Sequence, residues 1–399
     1  MTTFGTTTAW TEPPSGHAEM LDWLAERRAK DGPWQDEKGN WHVFRYRDVL
    51  DVLNDHTTFS SDLRDLSPRH AEFDVFKKGL FISMDEPQHR KLRGLVSQAF
   101  TPKVVGKLAP RVAEIAHEML DAVQDRDRIE LVGDLAYPLP VIVIAELIGV
   151  PTSDRATFQR WADALLGIGG EVTAAPDGEV LSSLTLTLRE MNVYLLDHIR
   201  SRRANPNGDL TSNLIAAEID GEHLEDEEIV GFVGMLLLAG HIMTTLMISA
   251  TLSCLDDHRD AITEIRREPD ALPGAIEEVL RFRTPSVRQE RLALREATVG
   301  GGLVPAGASL VLWLSGANRD AGQFPDADRF DIRRTPNAHL SFGRGIHHCI
   351  GAPLARLECK TVLEVLFGRF TEFAGAGAVP HDARSSFAPL KLPLDVTWA

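Results

Sequence analysis

The feature that most constrains the fold of this 399-residue chain is a long helical pattern over residues 226–256. Its first turn is acidic, with Asp226, Glu227 and Glu228 in succession, which suits the positive end of a helix dipole. Its middle is apolar on nearly all sides, and a helix of that kind lies inside a protein rather than on its surface. The pattern therefore predicts a large helical protein built around one central helix.

Helical periodicity also dominates elsewhere in the chain. Strand-like alternation is confined to residues 41–46, 287–311 and 388–398. Residues 62–79 are poorly periodic and are predicted to form a long loop. Because no internal repeat or low-complexity linker divides the chain, we expect a mainly α fold with a small β portion. It should form one domain over residues 1–399, with residues 1–15 flexible.

Composition restricts the partners of the chain. Its 58 acidic and 42 basic residues give a net charge of −16, which repels nucleic acid and anionic membranes. The longest apolar stretch, residues 232–240, is shorter than the ~20 residues that cross a bilayer. The first ten residues lack the charged and apolar blocks of a signal peptide. We expect a cytoplasmic protein without membrane insertion or nucleic-acid binding.

The most informative local stretch is the glycine-rich string at residues 342–351, FGRGIHHCIG. Gly343 and Gly345 permit a turn that other residues would find strained. Pro353 marks the first turn of a following helix, so Cys349 lies just before a helix N-terminus. The helix dipole and free N–H groups favour a thiolate there. A thiolate of this kind is an axial ligand of haem iron, so Cys349 is the candidate metal ligand.

The string F-G-x-G-x-H-x-C-x-G resembles the haem-binding signature of the cytochrome P450 family, and further stretches resemble the same family in the same order. The resemblance spans most of the chain and is closest to soluble bacterial members that act on macrolides and other secondary metabolites. It implies the cytochrome P450 fold, with haem b (iron protoporphyrin IX) between the central helix and the helix after the cysteine. The implied cofactor-binding residues are His89, Arg93, Arg291, Phe342, Gly343, His347, Cys349 and Gly351.

Within that set, the resemblance implies separate roles for the sulfur and for the cationic residues. Cys349 would bind the iron, and the propionates would be bound by His89, Arg93, Arg291 and His347. A cation or N–H donor facing a carboxylate makes a charge-assisted hydrogen bond, and an arginine can make two at once.

Glu278 and Arg281 match the E-x-x-R motif of the family. A spacing of three places both side chains on one helix face, where they can pair. The resemblance implies that this pair stabilises the core together with a third arginine, and Arg329 is predicted to be that residue.

Residues 236–245 resemble the oxygen-activating motif of the family's central helix, with Ala239, Gly240, Met243 and Thr244 as candidate catalytic residues. The chain departs from the family at two positions, because Ile242 replaces the usual acid and Met243 the usual threonine. Methionine has no proton to donate. Three hypotheses stay open: a helix bulge brings Thr244 to the oxygen, substrate hydroxyls or water relay the protons, or oxygen activation is weakened.

The substrate pocket is the least specific part of the resemblance. Segments 62–79 and 166–173 are expected to act as lids. A mostly apolar lining indicates a sizeable apolar small molecule with a few polar groups. The residues predicted to line the pocket are Leu236, Leu237, Met243, Val287 and Phe387.

The source of electrons follows from an absent motif. The sequence has no G-x-G-x-x-G that opens a helix after a strand, so it has no dinucleotide-binding domain. NAD(P)H would therefore act through a ferredoxin reductase and an acidic ferredoxin. An acidic chain needs a local basic face to dock such a partner. The candidates for that face are Arg90, Lys91, Arg344, Arg356 and Lys360.

The favoured function is a haem-thiolate monooxygenase that inserts one oxygen atom of O2 into a secondary metabolite, by hydroxylation or epoxidation. Two alternatives remain open. One is a haem-thiolate enzyme with peroxide-driven or oxidative bond-forming chemistry, and the other is a haem-binding sensor without turnover.

Overall fold

A computed structural model of the chain describes residues 12–62, 71–169 and 178–399. The predicted flexible segment lies mostly outside these ranges. The α-helices are α1 His17–Arg28, α2 Tyr46–Asn54, α3 Ala71–Lys78, α4 Gln88–Ala99, α5 Pro102–Gly106, α6 Ala109–Asp121, α7 Pro138–Ile148, α8 Arg155–Gly169, α9 Gly178–Ala204, α10 Leu210–Ala216, α11 Asp226–Asp257, α12 Arg259–Arg267, α13 Leu272–Phe282, α14 Leu314–Ala317 and α15 Ala352–Arg369.

The strands are short. They are β1 Trp34–Gln35, β2 Trp41–Val43, β3 Phe59–Ser60, β4 Arg128–Glu130, β5 Gln289–Ala293, β6 Ala297–Val299, β7 Gly302–Val304, β8 Ser309–Leu312, β9 Phe370–Gly375, β10 Val379–Pro380, β11 Pro389–Lys391 and β12 Pro393–Trp398. The largest sheet has the order β1-β2-β8-β5-β3, and a second has the order β4-β12-β9. In the larger sheet only the β2–β8 pair is parallel. The predicted mainly α fold with a small β portion is confirmed.

Helix α11 runs through the core, as its apolar pattern predicted. A reciprocal capping box between Glu225 and Glu228 satisfies N–H groups at its start. It packs against α3, α7, α9 and α15, among others. By length and composition alone α11 could span a membrane, but 72% of its most apolar window is buried inside the protein. Core helices commonly combine these two properties.

Helix α3 lies in the segment that the sequence predicted to be a loop. It packs against α9 and α11, and two glycines make the approach to α11 possible. A β-carbon on Gly79 would lie 2.1 Å from the backbone nitrogen of Phe232, and one on Gly231 would lie 2.5 Å from that of Gly79. This helix depends on packing against a distant segment, which local periodicity does not record. Residues 63–70 of the predicted loop lie outside the described ranges.

Glu278 and Arg281 form a fully buried ion pair on α13, with neither side chain exposed. Nε and Nη2 of Arg281 donate to the two carboxylate oxygens, each at 2.8 Å. The remaining donors of Arg281 bind backbone carbonyls, those of Asn318 at 2.9 Å and Ala327 at 2.7 Å. Such a pair is tolerated in the core because each charge is matched and hydrogen-bonded.

The prediction that Arg329 is the third member of this group is wrong. Its side chain is exposed, and it contributes only its backbone carbonyl, which accepts from Arg281 at 3.1 Å. Arg334 takes the third position, with Nε donating to Glu278 at 3.2 Å. The reason is a turn in which the N–H of Arg334 donates to the carbonyl of Asp331 at 3.0 Å. That turn brings the chain back toward α13 at Arg334 rather than at Arg329.

Glu278→Gln is expected to cost about 3–5 kcal/mol of unfolding free energy, because it leaves Arg281 buried without its full counter-charge. Urea denaturation followed by circular dichroism measures the loss. Glu26→Gln is the matched control, since Glu26 pairs with Lys30 across one helical turn at the surface and such pairs contribute little. Equal shifts of the two denaturation midpoints would contradict the structural role of the buried pair.

Candidate functional site

The cysteine loop is shaped by two glycines in the left-handed region. Gly343 has φ of +66° and Gly345 has φ of +69°. A β-carbon on Gly345 would lie 2.6 Å from the carbonyl oxygen of Leu53. The N–H of Cys349 donates to the carbonyl of Phe342 at 2.9 Å and closes the loop. The turn that the glycines predicted is confirmed.

Cys349 lies just before α15, and its side chain opens into an internal cavity. Burial raises the pKa of this thiol above its ordinary value, and hydrogen bonds from the N–H groups of Gly351 and Ala352 oppose the rise. The helix N-terminus alone therefore does not make a thiolate, and a metal cation at the sulfur would. Cys254 and Cys359 are fully buried, and burial raises the pKa of each to about 12.

The cavity has a volume of about 470 Å³ and separates α11 from the cysteine loop. The wall opposite α11 includes Phe342, Cys349 and Leu354. The residues of α11 that line the cavity recur every three or four positions, so they lie on one face of the helix. Its members are Met235, Leu236, Ala239, Gly240, Met243, Thr244 and Met247.

Gly240 has a packing role as well as a place in the cavity wall. A β-carbon there would lie 2.9 Å from Cδ1 of Ile144 on α7. The small residue therefore lets α7 approach α11, in addition to leaving space in the cavity.

Four cationic or imidazole side chains converge beside the cavity, and we call them the donor cluster: His89, Arg93, Arg291 and His347. The rings of His89 and His347 are 4.3 Å apart, and none of their buried nitrogens has a hydrogen-bond partner. Oε1 of Glu86 lies 3.7 Å from Nδ1 of His89, which is too far for a hydrogen bond. Burial and the charges of the other three members lower the pKa of His347 to about 3.

The two arginines of the donor cluster hydrogen-bond only to backbone carbonyls among the residues that the structure describes. Arg93 donates to the carbonyl of His348 at 2.5 Å, and Arg291 to that of Glu290 at 2.7 Å. Burial lowers the pKa of Arg291 to about 10. Buried cations that are not paired with a carboxylate are costly, so this cluster is suited to an anionic ligand.

The residues present fit iron protoporphyrin IX. That cofactor would offer a metal that a thiolate can bind and two carboxylates. The cavity offers one open thiol and a donor cluster whose hydrogen-bonding groups are not satisfied by acidic side chains of the described chain. The residues predicted to bind the cofactor are therefore brought together around one cavity, with Phe342, His347, Cys349 and Gly351 all in its lining.

The oxygen side of the cavity contains both Met243 and Thr244. Helix α11 is unbroken from Asp226 to Asp257, so the bulge proposed to turn Thr244 inward is absent from this fully described helix. Thr244 lines the cavity without it. Ile242 instead packs beside Leu246, away from the cavity. Its neighbour His241 packs against Tyr137 and bonds to the carbonyl of that residue at 3.0 Å.

Three of the predicted pocket residues are not among the cavity-lining residues that the structure describes. Leu237 is one residue out of phase with the cavity face of α11 and is buried in the core. Val287 and Phe387 belong to a separate apolar cluster around Trp313, and Phe387 stacks on His17 with ring centroids 4.7 Å apart. The predictions for these three are wrong, whereas Leu236 and Met243 do line the cavity.

The sequence analysis missed other lining residues. Phe81, Ile82 and Ser83 come from a short 3-10 helix after α3 and line the cavity. No local pattern could identify them. Met235 and Met247 also line it, and their spacing was a readable signal. They lie four residues before Ala239 and four residues after Met243, so all four positions share one helix face.

The predicted basic docking face is largely neutralised by acidic neighbours. Arg90 pairs with Glu86 at 2.6 Å, Lys91 with Glu222 at 2.6 Å, and Lys360 with Glu364 at 2.5 Å. Arg356 makes a bidentate pair with Glu277, at 2.6 and 2.9 Å. Most of these cations are therefore already paired.

Comparison with known sequences identifies the relatives of the chain. A sequence model of the family described as Cytochrome P450 matches residues 187–380. Cyclomarin C epoxidase CymV from Salinispora arenicola is 44% identical over 86% of this chain and 86% of its own length. Erythromycin C-12 hydroxylase from Saccharopolyspora erythraea is 40% identical over 88% and 87%, respectively.

Solved structures agree with this result. A ligand-free cytochrome P450 named TbtJ1 superposes with a TM-score of 0.88 at 38% identity, over 97% of this chain and 99% of that one. HmtT, which is involved in himastatin biosynthesis, superposes with a TM-score of 0.86 at 41% identity, over 94% and 96%.

Arg93→Gln is expected to weaken haem retention by about ten-fold or more, because a hydrogen bond to a charged group contributes about 1.5–3 kcal/mol. The transfer of haem to an excess of a haem-free acceptor protein measures the change. Arg90→Gln on the same helix is the matched control, since the side chain of Arg90 is 81% exposed. Equal haem loss from both variants would contradict the donor cluster.

Proposed function

The chain belongs to the cytochrome P450 family, and from that premise we propose that it is a haem b monooxygenase that oxidises an apolar secondary metabolite. The proposal rests on one observation above all: Cys349 opens into a cavity flanked by a donor cluster whose imidazole nitrogens have no hydrogen-bond partner. The named hydroxylase and epoxidase relatives support the reaction class. The bound haem would supply the chemistry that inserts one atom of O2 into the substrate.

The residues on the cysteine side hold the cofactor. Cys349 Sγ is the ligand of the iron, and the N–H groups of Gly351 and Ala352 stabilise negative charge on that sulfur. His89, Arg93, Arg291 and His347 bind the propionates, because carboxylates satisfy the ring nitrogens and balance the guanidinium charges. Phe342 lines the cavity beside the sulfur and limits the access of water to it.

Thr244 moves the protons that the reaction consumes. Oxidation of a substrate by O2 and NAD(P)H also forms one water, so protons must enter the cavity. The Thr244 hydroxyl has no hydrogen-bond partner in the described part of the chain, and the residue lines the cavity. The next residue, Thr245, instead donates to the carbonyl of Ala136 at 3.0 Å. Thr244 Oγ1 is therefore free to donate to a water or a substrate hydroxyl.

The substrate class follows from the lining of the cavity. Leu236, Met243 and Phe81 offer apolar contacts, and Ser83 and Ser286 offer isolated hydroxyls. Such a surface suits a largely apolar molecule with a few polar groups. Flexible methionines adapt to irregular ligands, which is consistent with a secondary metabolite.

The proposed electron supply is NAD(P)H through a ferredoxin reductase and a ferredoxin. We propose that the whole chain is one haem domain. Its electrons must come from another protein, because the sequence has no dinucleotide-binding motif. The docking face includes Arg344 and the exposed Arg90 and Lys91. Ferredoxin acids would have to exchange with the present acidic partners of Arg90 and Lys91. The proposed location is the cytoplasm.

Peroxide-driven or bond-forming chemistry is the second candidate, and the pair Ile242 and Met243 favours it. Neither side chain can donate a proton at the oxygen side of the cavity. A reaction driven by hydrogen peroxide would need fewer protons from the protein than one driven by O2.

Cys349→Ala is expected to abolish the strongly red-shifted Soret band of the reduced, carbon monoxide-treated protein, because that band requires a thiolate ligand. Cys359→Ala should retain it, since Cys359 contacts Thr251 at 3.6 Å and lies away from the cavity. Apolar metabolites that shift the haem spin state are then oxidised under ¹⁸O2 with the redox partners. One ¹⁸O atom per product is expected, and none in any product would contradict the proposed reaction.

Thr244→Ala is expected to raise the hydrogen peroxide released per NADPH roughly ten-fold, because the face of α11 that lines the cavity loses its hydroxyl. Thr244→Ser should stay close to the wild type. Thr245→Ala is the matched control and should leave the ratio unchanged. A fully coupled Thr244→Ala enzyme would show instead that water or substrate hydroxyls carry the protons.

A further inference from the structure

Three methionines share the cavity face of α11, and they differ sharply in exposure. Met243 is 38% exposed, whereas Met235 is 3% and Met247 is 2% exposed. Met243 is also the only exposed methionine in the described part of the chain. Its thioether therefore faces the cavity at the position next to Thr244.

We propose that Met243 is an oxidation site, whose thioether hydrogen peroxide converts to methionine sulfoxide inside the cavity. The source of peroxide rests on the proposed function, since a monooxygenase releases some peroxide whenever a turnover ends without oxidising a substrate. The sulfur lone pair attacks one peroxide oxygen, the O–O bond breaks, and the departing hydroxide takes the remaining proton to form water. Sulfur is oxidised by two electrons and the peroxide is reduced, so atoms and electrons balance.

The surroundings of Met243 favour this reaction over reaction at its neighbours. Thioether oxidation follows accessibility, and Met235 and Met247 border the cavity but are almost fully buried. A sulfoxide oxygen also accepts hydrogen bonds, which the thioether does only weakly. Oxidation would thus place a polar group where the family usually has a threonine hydroxyl.

The oxidation also changes how the cavity binds ligands. A flexible apolar side chain becomes polar and chiral, so apolar contacts at the oxygen side weaken.

The test treats the haem-loaded protein with added hydrogen peroxide and assigns each gain of one oxygen by fragment-ion sequencing of the α11 peptide. Met243 is expected to oxidise at least about ten times faster than Met235 and Met247, in keeping with its accessibility. In protein unfolded by urea the three rates should become equal, because the intrinsic reactivity of the side chains is the same. Equal rates in the folded protein, or slower oxidation of Met243, would overturn the proposal.

Met243→Leu provides the matched variant. The fast-gained oxygen should disappear from its α11 peptide, while the slow rates at Met235 and Met247 stay as in the wild type. If the fast oxidation persists at another α11 residue, the assignment to Met243 is wrong.

A second arm replaces added peroxide by NADPH and the redox partners, without substrate. Oxidation of Met243 that catalase suppresses would support the proposed source. Selective oxidation by added peroxide without any during turnover would overturn the proposed source of the peroxide and would leave the oxidation site intact.

Discussion

The packing of α11 against α15 is the interaction on which the rest of the structure depends. The two helices approach closely where Thr251 contacts Cys359 at 3.6 Å, and they part toward Cys349, where the cavity begins. One rigid helix therefore carries the oxygen side, and the other begins beside the sulfur. Sites placed on rigid elements hold their geometry better than sites on loops. This contact brings Thr244 and Cys349 to the same cavity, although the two residues are far apart in the sequence.

The donor cluster buries positive charges and unpaired nitrogens, which is unfavourable until a ligand binds. His89 and Arg93 lie on α4, Arg291 on β5 and His347 in the cysteine loop, so three separate elements of the fold bring these nitrogens together. Burial lowers the pKa of both imidazoles, and the charge of Arg93 lowers each further, because a second positive charge beside the first is unfavourable. An anionic ligand adds attractive charge interactions that offset this repulsion, and the cluster then stabilises the complex.

The sequence predicted the elements that are periodic and the motifs that are local. The central helix, the glycine turns beside Cys349 and the pairing of Glu278 with Arg281 all depend on residues close in sequence. Arg334 could not be distinguished from Arg329, because the choice depends on where the chain turns back toward α13.

Other misplacements have related physical causes. Val287 and Phe387 were assigned to the cavity by resemblance to the family. Residues near strands alternate between two faces, and only the packing of the sheet decides which face meets the cavity. Helix α3 was missed because its stability comes from contact with a distant backbone, which leaves no local pattern.

The glycine contact between α3 and α11 has a consequence for selectivity. Gly79 and Gly231 bring the two backbones together, so the residues that follow shortly after, Phe81 and Ile82, are held at a fixed offset from the central helix. A ligand that touches this wall meets a surface that is already in place, and it loses little conformational entropy in ordering it. Ligand preference on this side therefore depends on the shape and size of individual side chains. A substitution at Ile82 would change that preference without altering the motion of any loop.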